Sequence, residues 1–388
     1  MFANLQKRID TIDIVRGIVM IIMALDHTRE LIHIDFPKND PLDYNTTTPI
    51  LFFTRWITHL CAPVFVFLSG VSAYLSILKE NNLAKSRNFL IKRGLWLIFL
   101  EFTLICFGIF NDIHFNTFLF QVIGTIGFGF VILGLLLSLN AKTIAGIGIA
   151  IIALHNLLDF APDSIKAMAR ITVLPGAIPL GGSRILIIGY PPVPWLGLML
   201  TGFGCGILFL KERSVRKKIF IQIGCFALVI FALLRLSNIY GNPTPWETKQ
   251  NTVFTILSFF DLSKYPPSLL FDLLFIGMMF LLLTLFDKEK TSRVDNLLKV
   301  YGSVPLFYYI IHWFVIHTIK YVILYTQGYT YKDLAFGFDL GRARGVNGLP
   351  LWGVYIVWLI VIIIMYLLCK KYRDYKVRNK QNAWLKYL

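Results

Sequence analysis

The chain has 388 residues, of which 56% are hydrophobic and 15% charged, and its 38 Lys and Arg against 22 Asp and Glu give a net charge of +16. The apolar residues fall in long blocks separated by short polar stretches, which excludes an ordinary soluble domain and points to a polytopic membrane protein. The five cysteines lie in or at the ends of apolar runs, so no disulfide framework and no metal motif is expected.

In chain order, spans of bilayer-crossing length are predicted at 12–34, 50–78, 94–111, 117–139, 142–160, 193–210, 219–238, 267–286, 302–325 and 350–369. The expected fold is all-α, an integral membrane protein of about ten transmembrane helices forming one domain over 1–388. The even number puts both termini on one face. That face carries 24 of the 38 basic residues, including Lys7, Arg8, Lys79 to Arg93, Lys211 to Lys218 and Lys370 to Lys386, while nine, Lys38 among them, fall on the opposite loops. By the positive-inside rule both termini are cytoplasmic. Topology and anionic lipid thus account for the positive charge, and no nucleic-acid partner is needed. The first span is read as a retained helix, because it ends in charges and lacks a small-residue cleavage site. The outer loops 161–192, 239–266 and 326–349 are rich in Pro and Gly, contain aromatic residues, and are expected to hold an extracytoplasmic substrate.

The first span is unusual. Residues 20–36, MIIMALDHTRELIHIDF, place Asp26, His27, Arg29, Glu30 and His33 within about two turns. At 1.5 Å per residue His27 lies roughly 20 Å outward of Asp13, in the outer half of the membrane. Arg55 and His59 sit at similar depth on the second span, and His312 and His317 lie mid-span and outward on the ninth. None of the seven histidines falls in the cytoplasmic half. Arg29 and Arg235 have a plain reading as side chains that reach to the interface, and His155 and His317 as buried rings satisfied by backbone carbonyls. Asp26-His27 lies too deep for that, and a carboxylate beside an imidazole in a low dielectric is costly unless paired and used. Asp26, His27 and His59 are therefore expected to form one functional layer, with His27 a base able to take a proton from a hydroxyl or amine. The run GFGCG at Gly202 to Gly206 lies inside an apolar helix with no preceding strand, so close helix packing is expected and no dinucleotide.

RIDTIDIVRGIVMIIMALDH followed by THLCAPVFVFLSGVSAYL resembles the opening of the transmembrane acyltransferases related to heparan-alpha-glucosaminide N-acetyltransferase. The shared features are Asp13, Arg16 and Gly17 at the entry to the first helix and Pro63, Phe65, Phe67 and Gly70 in the second. YPPVPWLGLMLTGFGCG, NIYGNPTPW and VPLFYYIIHWFVIH extend the resemblance to the bacterial branch along nearly the whole chain. The resemblance implies an acyl-CoA-dependent acetyltransferase of the inner (plasma) membrane that moves an acetyl or other short acyl group from cytoplasmic acetyl-CoA to an extracytoplasmic sugar or glycan. In the lysosomal enzyme the catalytic histidine lies in the loop between its first two helices. His33 is only a loose counterpart of it, and the enzyme's asparagine near the end of helix 1 falls on His27, so the chemistry is expected on helix 1 itself.

On that reading His27 is the general base, Asp26 orients it or raises its basicity, and Arg29, Arg55 or His59 stabilises the oxyanion, with His33 and His312 as alternative bases. The donor's anionic end is expected against Arg16, Lys92 and Arg93, and Asp13 and Arg16, one turn apart, are expected to pair. Trp56, Tyr190, Trp195 and Trp246 offer stacking surfaces to a sugar. The expected partners are the bilayer, acyl-CoA and a carbohydrate acceptor, with a homo-oligomer left open. The rival reading is a proton-coupled small-molecule transporter whose buried Asp-His-Arg cluster is a relay, although no broken-helix repeat supports it.

Overall fold

The computed structural model describes residues 2–36 and 40–387, so Lys38 lies outside the described residues, as do the side chains of Lys7 and Arg8. The protein is an all-α polytopic membrane protein. Among the described residues, eight helical segments are long and apolar enough to cross a bilayer. Two further predicted spans are occupied by α1 (Phe2–Ile32), whose C-terminal end is rich in charge, and by α6 (Val122–Leu136), which is shorter. The chain forms two compact units, one of residues 1–8, 62–102 and 118–288 and the other of 9–61, 103–117 and 289–388.

Two predicted spans are interrupted, each for a local reason. The span near 50–78 divides into α2 (Pro49–Thr58) and α3 (Cys61–Glu80). Pro63 has no N–H to offer the carbonyl of His59, so the α-helical ladder lapses there. The amides of His59 and Leu60 turn instead to Trp56 and Ile57, three residues back. The next span runs from α4 (Leu83–Leu100) into a π-helical turn at Glu101–Ile105 before α5 (Cys106–Phe110). The fully buried Glu101 carboxylate accepts from the amides of Gln121 and Gly124, at 3.2 and 2.7 Å, and so caps the start of α6.

In the first unit β1 (Thr117–Phe120), β2 (Gly176–Gly181) and β3 (Arg184–Ile188) form a small sheet in the order β1-β3-β2. The helices α7 (Ala141–Leu154), α9 (Pro192–Cys205), α10 (Arg213–Ser237) and α12 (Leu269–Phe286) complete three close pairs, α4 on α6, α7 on α9 and α10 on α12, with the short α8 (Asp163–Ala169) and α11 (Thr252–Phe260) in the connections. Each pair meets at two facing glycines, Gly94 with Gly127, Gly148 with Gly197, and Gly224 with Gly277. A Cβ on Gly94 would lie 2.5 Å from the Gly127 carbonyl oxygen, so the small residue sets the approach. Gly202 of the GFGCG run likewise packs on the backbone of Phe67, which is the packing role expected of it.

The second unit is built from α1, α2, α5, α13 (Arg293–Gly302), α14 (Pro305–Thr326) and α15 (Leu351–Arg378). A two-stranded ladder of β4 (Leu334–Ala335) with β5 (Arg342–Ala343) lies in the loop before α15. The amphipathic α13, opened by a Ser292–Asp295 capping box, occupies part of what the sequence suggested was a plain cytoplasmic loop. Gly17 of α1 faces Leu298, and Gly302 faces Asp13, so closely that a Cβ at either would meet a backbone oxygen at 2.0 or 1.9 Å. The glycine of the Asp13, Arg16, Gly17 entry thus admits α13 against α1.

Candidate functional site

Successive residues of a helix point about 100° apart, and α1 uses this to divide its outer charges between two neighbours. Asp26, Arg29 and Glu30, at i, i+3 and i+4, share one face and meet Arg55 of α2. The Asp26 carboxylate receives Arg29 at 3.2 Å and also Arg55, while Glu30 lies 3.5 and 3.4 Å from the same two guanidinium groups. Two carboxylates and two guanidinium groups thereby form a network of zero formal charge. Such pairing offsets the desolvation that would expel isolated charges from this depth. Its least enclosed cation is Arg55, whose side chain is 14% exposed against 3% for Arg29.

His27 points the other way, to α14. Its ring stacks on Trp313, with centroids 4.1 Å apart and planes at 19°, and Tyr309 meets it edge-on at 6.4 Å. Its Nδ1 lies 2.6 Å from Nε2 of His312, which is fully buried. The other nitrogen of His312, Nδ1, is 3.1 Å from the Tyr308 carbonyl. A carbonyl only accepts, so the proton of His312 is assigned to Nδ1, and with both rings neutral its Nε2 accepts. His27 then donates from Nδ1, and its lone pair resides on Nε2. Two rings in sequence from a backbone carbonyl fix one tautomer of His27, as second-shell partners do at metal and catalytic histidines.

The other predicted residues lie on or beside α1, α2 and α4. His59 is 2% exposed and stands at the α2–α3 break. His33 lies just past α1, where it bridges to Leu349, and its carbonyl accepts from Arg342 at 2.9 Å, so it anchors the loop before α15. Burial lowers the pKa of the His33 ring; Asp35 opposes this, and the cations Arg29 and Arg342 add to it. Arg16 lies 3.8 Å from Asp13, the ion pair expected from their spacing. Arg93 places its guanidinium over the rings of Phe89 and Phe130, and Lys92 is exposed on the same helix. Arg16 belongs to the second unit, and Lys92 and Arg93 to the first.

Several expectations are replaced by other roles. Arg235 does not reach to an interface. It is 1% exposed and donates to the carbonyls of Thr244, Ser258, Phe259 and Asp261 at 2.7 to 2.9 Å, closing the end of α11. Trp195 is fully buried and Tyr190 nearly so, which leaves Trp195 no face for a sugar. His155 and His317 are structural, as expected. His155 has both ring nitrogens on backbone carbonyls, of Ile151 and Pro267, and His317 is held between the Ile109 carbonyl and Lys320. Sequence reasoning listed His312 only as an alternative base and passed over Trp313 and Tyr309. The i, i+4 pair Tyr308 and His312 inside YYIIHW was the available signal.

An imidazole beside a buried carboxylate–guanidinium network in a membrane helix is suited to moving a proton. Residues 8–237 match the family described as heparan-alpha-glucosaminide N-acetyltransferase, catalytic, and the chain belongs to that family of membrane acetyltransferases. The match includes Asp26, His27, Arg29, Arg55 and His59 and stops short of His312. No curated protein matches the chain.

Proposed function

We propose that the protein transfers an acetyl group from cytoplasmic acetyl-CoA to a hydroxyl or amine of an extracytoplasmic sugar or glycan, in the inner (plasma) membrane, with His27 as the general base. The observation that carries this reading is the Tyr308–His312–His27 sequence of close polar contacts, which for neutral rings puts the lone pair of His27 on Nε2. The acceptor oxygen or nitrogen attacks the thioester carbonyl while its proton passes to Nε2. Collapse of the tetrahedral intermediate breaks the carbon–sulfur bond, and the departing thiolate takes the proton back from His27. Arg55, with Arg29 behind it, is the favoured partner for the oxyanion, and His59 a second. Asp26 holds both arginines in place. Arg16 in the second unit, and independently Lys92 and Arg93 in the first, are each proposed as a cation for the donor's phosphates, since guanidinium and ammonium groups suit that charge.

The test is transfer of radiolabelled acetyl from acetyl-CoA to a panel of amino sugars and glycans, with the full chain in vesicles of known orientation. The proposal expects labelled product on the side opposite the donor, together with thermal stabilisation of the detergent-solubilised protein by acetyl-CoA. Absence of both would overturn it.

A further inference from the structure

A pocket lies on the second unit, away from the histidine pair. Its cavity of about 410 Å³ is bounded by the loop after α5, the outward end of α14 and the loop before α15. That volume lies within the roughly 300–1,000 Å³ usual for small-molecule sites. Half of its wall is aromatic, from Phe107, Tyr321, Tyr325, Tyr331 and Phe336. Nine residues separate His312 from Tyr321, which puts them on opposite faces of α14 and about 14 Å apart along its axis. The cavity is therefore distinct from the site around His27.

The walls are held in place before any ligand arrives. Asn111 has a left-handed backbone, φ 48°, and its amide donates to the Tyr321 hydroxyl at 2.8 Å, which fixes that ring. Behind the same ring, Lys320 lies 4.3 Å from its centroid and donates to the Leu340 carbonyl. Asp112 accepts from the amides of His114 and Asn116 at 2.9 and 3.0 Å. Partial burial raises its pKa, but those bonds outweigh burial and hold the carboxyl below its usual range, so it is ionised. On the opposite wall, Asp333 closes a capping box on Thr330 and so sets the turn that carries Tyr331, whose ring meets Phe336 at 5.8 Å. Tyr331 is 69% exposed, and Tyr325 53%, at the mouth.

No Lys or Arg, whose charge is permanent, is among the lining residues; the ionisable side chains there are the Asp112 carboxyl and the His114 imidazole. Phosphate, sulfate and anionic lipid headgroups are therefore disfavoured. Aromatic faces suit the apolar C–H face of a pyranose, and the Asn111 amide, the Asp112 carboxylate and the tyrosine hydroxyls can meet its polar edge. An ammonium substituent would add attraction to the carboxylate and to the rings. We infer that this cavity is a saccharide-binding site for an uncharged or amine-bearing sugar, holding a non-reacting unit of a longer glycan on the outer face. The inference rests on the proposed function only for the choice of a glycan as ligand.

Binding is read without any acyl donor, by titration calorimetry of the full chain in nanodiscs with a glucosamine tetrasaccharide and with its N-sulfated counterpart. The inference expects the amine form to bind at least ten-fold more tightly than the sulfated one. It expects the double substitution Tyr331→Ala, Phe336→Ala to weaken binding ten-fold or more, and His27→Ala to leave it unchanged. Binding that survives the double substitution, a preference for the sulfated form, no binding at all, or displacement of the sugar by phosphatidylglycerol would each overturn it. Intact binding without any transfer would sink the proposed function alone, and normal transfer with binding unmoved by the double substitution would sink this inference alone.

Discussion

The Nδ1 of His27 and the Nε2 of His312 lie 2.6 Å apart although 285 residues separate them in the chain. If His312 orients the base, its removal should lower turnover without disturbing the donor. His312→Ala is expected to reduce kcat about 10²-fold or more, within the range attributed to general-base catalysis, with the KM for acetyl-CoA little changed. His312→Gln, whose carbonyl can still accept from His27, should recover part of the loss. Equal activity in His312→Ala would remove the orienting role.

Arg235 has a different expectation, because it donates to four backbone carbonyls. Arg235→Ala leaves several buried acceptors unpaired, so the protein should lose at least about 2 kcal/mol of stability. Arg235→Lys should recover only part, since an ammonium lacks the planar fork. Thermal unfolding in detergent reads the loss, and transfer per folded molecule should stay near wild type.

A methyl group at Gly17 would fall 2.0 Å from the Leu298 carbonyl oxygen, where backbone rather than a flexible side chain must move. Gly17→Ala is therefore expected to cost about 1–3 kcal/mol or more, with a lower melting temperature and a reduced yield of folded protein. Gly146→Ala, where nothing lies within 4 Å, is the control and should be near neutral or slightly stabilising.

The shift at His33 has a definite sign. A histidine whose pKa is lowered in the folded state binds fewer protons there than in the unfolded chain, so stability rises with pH across the interval between the two values. Its contribution is fully present above the unfolded value of about 6.5 and is lost as pH falls from there to the folded value. Melting temperatures at pH 5.5 and 7.5 should differ less in His33→Gln than in the wild type. An unchanged difference would show that His33 carries none of this dependence.

Much of the fold was legible because its driving pattern is local. Long apolar blocks bounded by charge locate the spans without knowledge of their neighbours. What escaped depends on partners remote in sequence or on breaks within a span. Pro63 stands in the sequence as a motif residue with no local mark of the break at His59, and the partners of Glu101, which are Gln121 and Gly124, lie well beyond it in the chain. The site divided in the same way. The pairing of Asp13 with Arg16 follows from helical spacing, and so does the shared face of Asp26, Arg29 and Glu30. That His27 turns to His312 and stacks on Trp313 depends on how α14 packs against α1, which no local pattern encodes.

The central claim, that His27 is the base, is tested most directly by acetyl transfer and acetyl-CoA binding measured side by side in His27→Ala. A base acts on the acceptor and contributes little to holding the donor's nucleotide, so transfer should fall by at least about 10²-fold while donor affinity stays within a few-fold of wild type. His27→Asn belongs in the same experiment, because the related lysosomal enzyme's asparagine falls at this position, and partial activity there would favour positioning over proton abstraction. A fully active His27→Ala protein would contradict the account and move the base to His33 or His312.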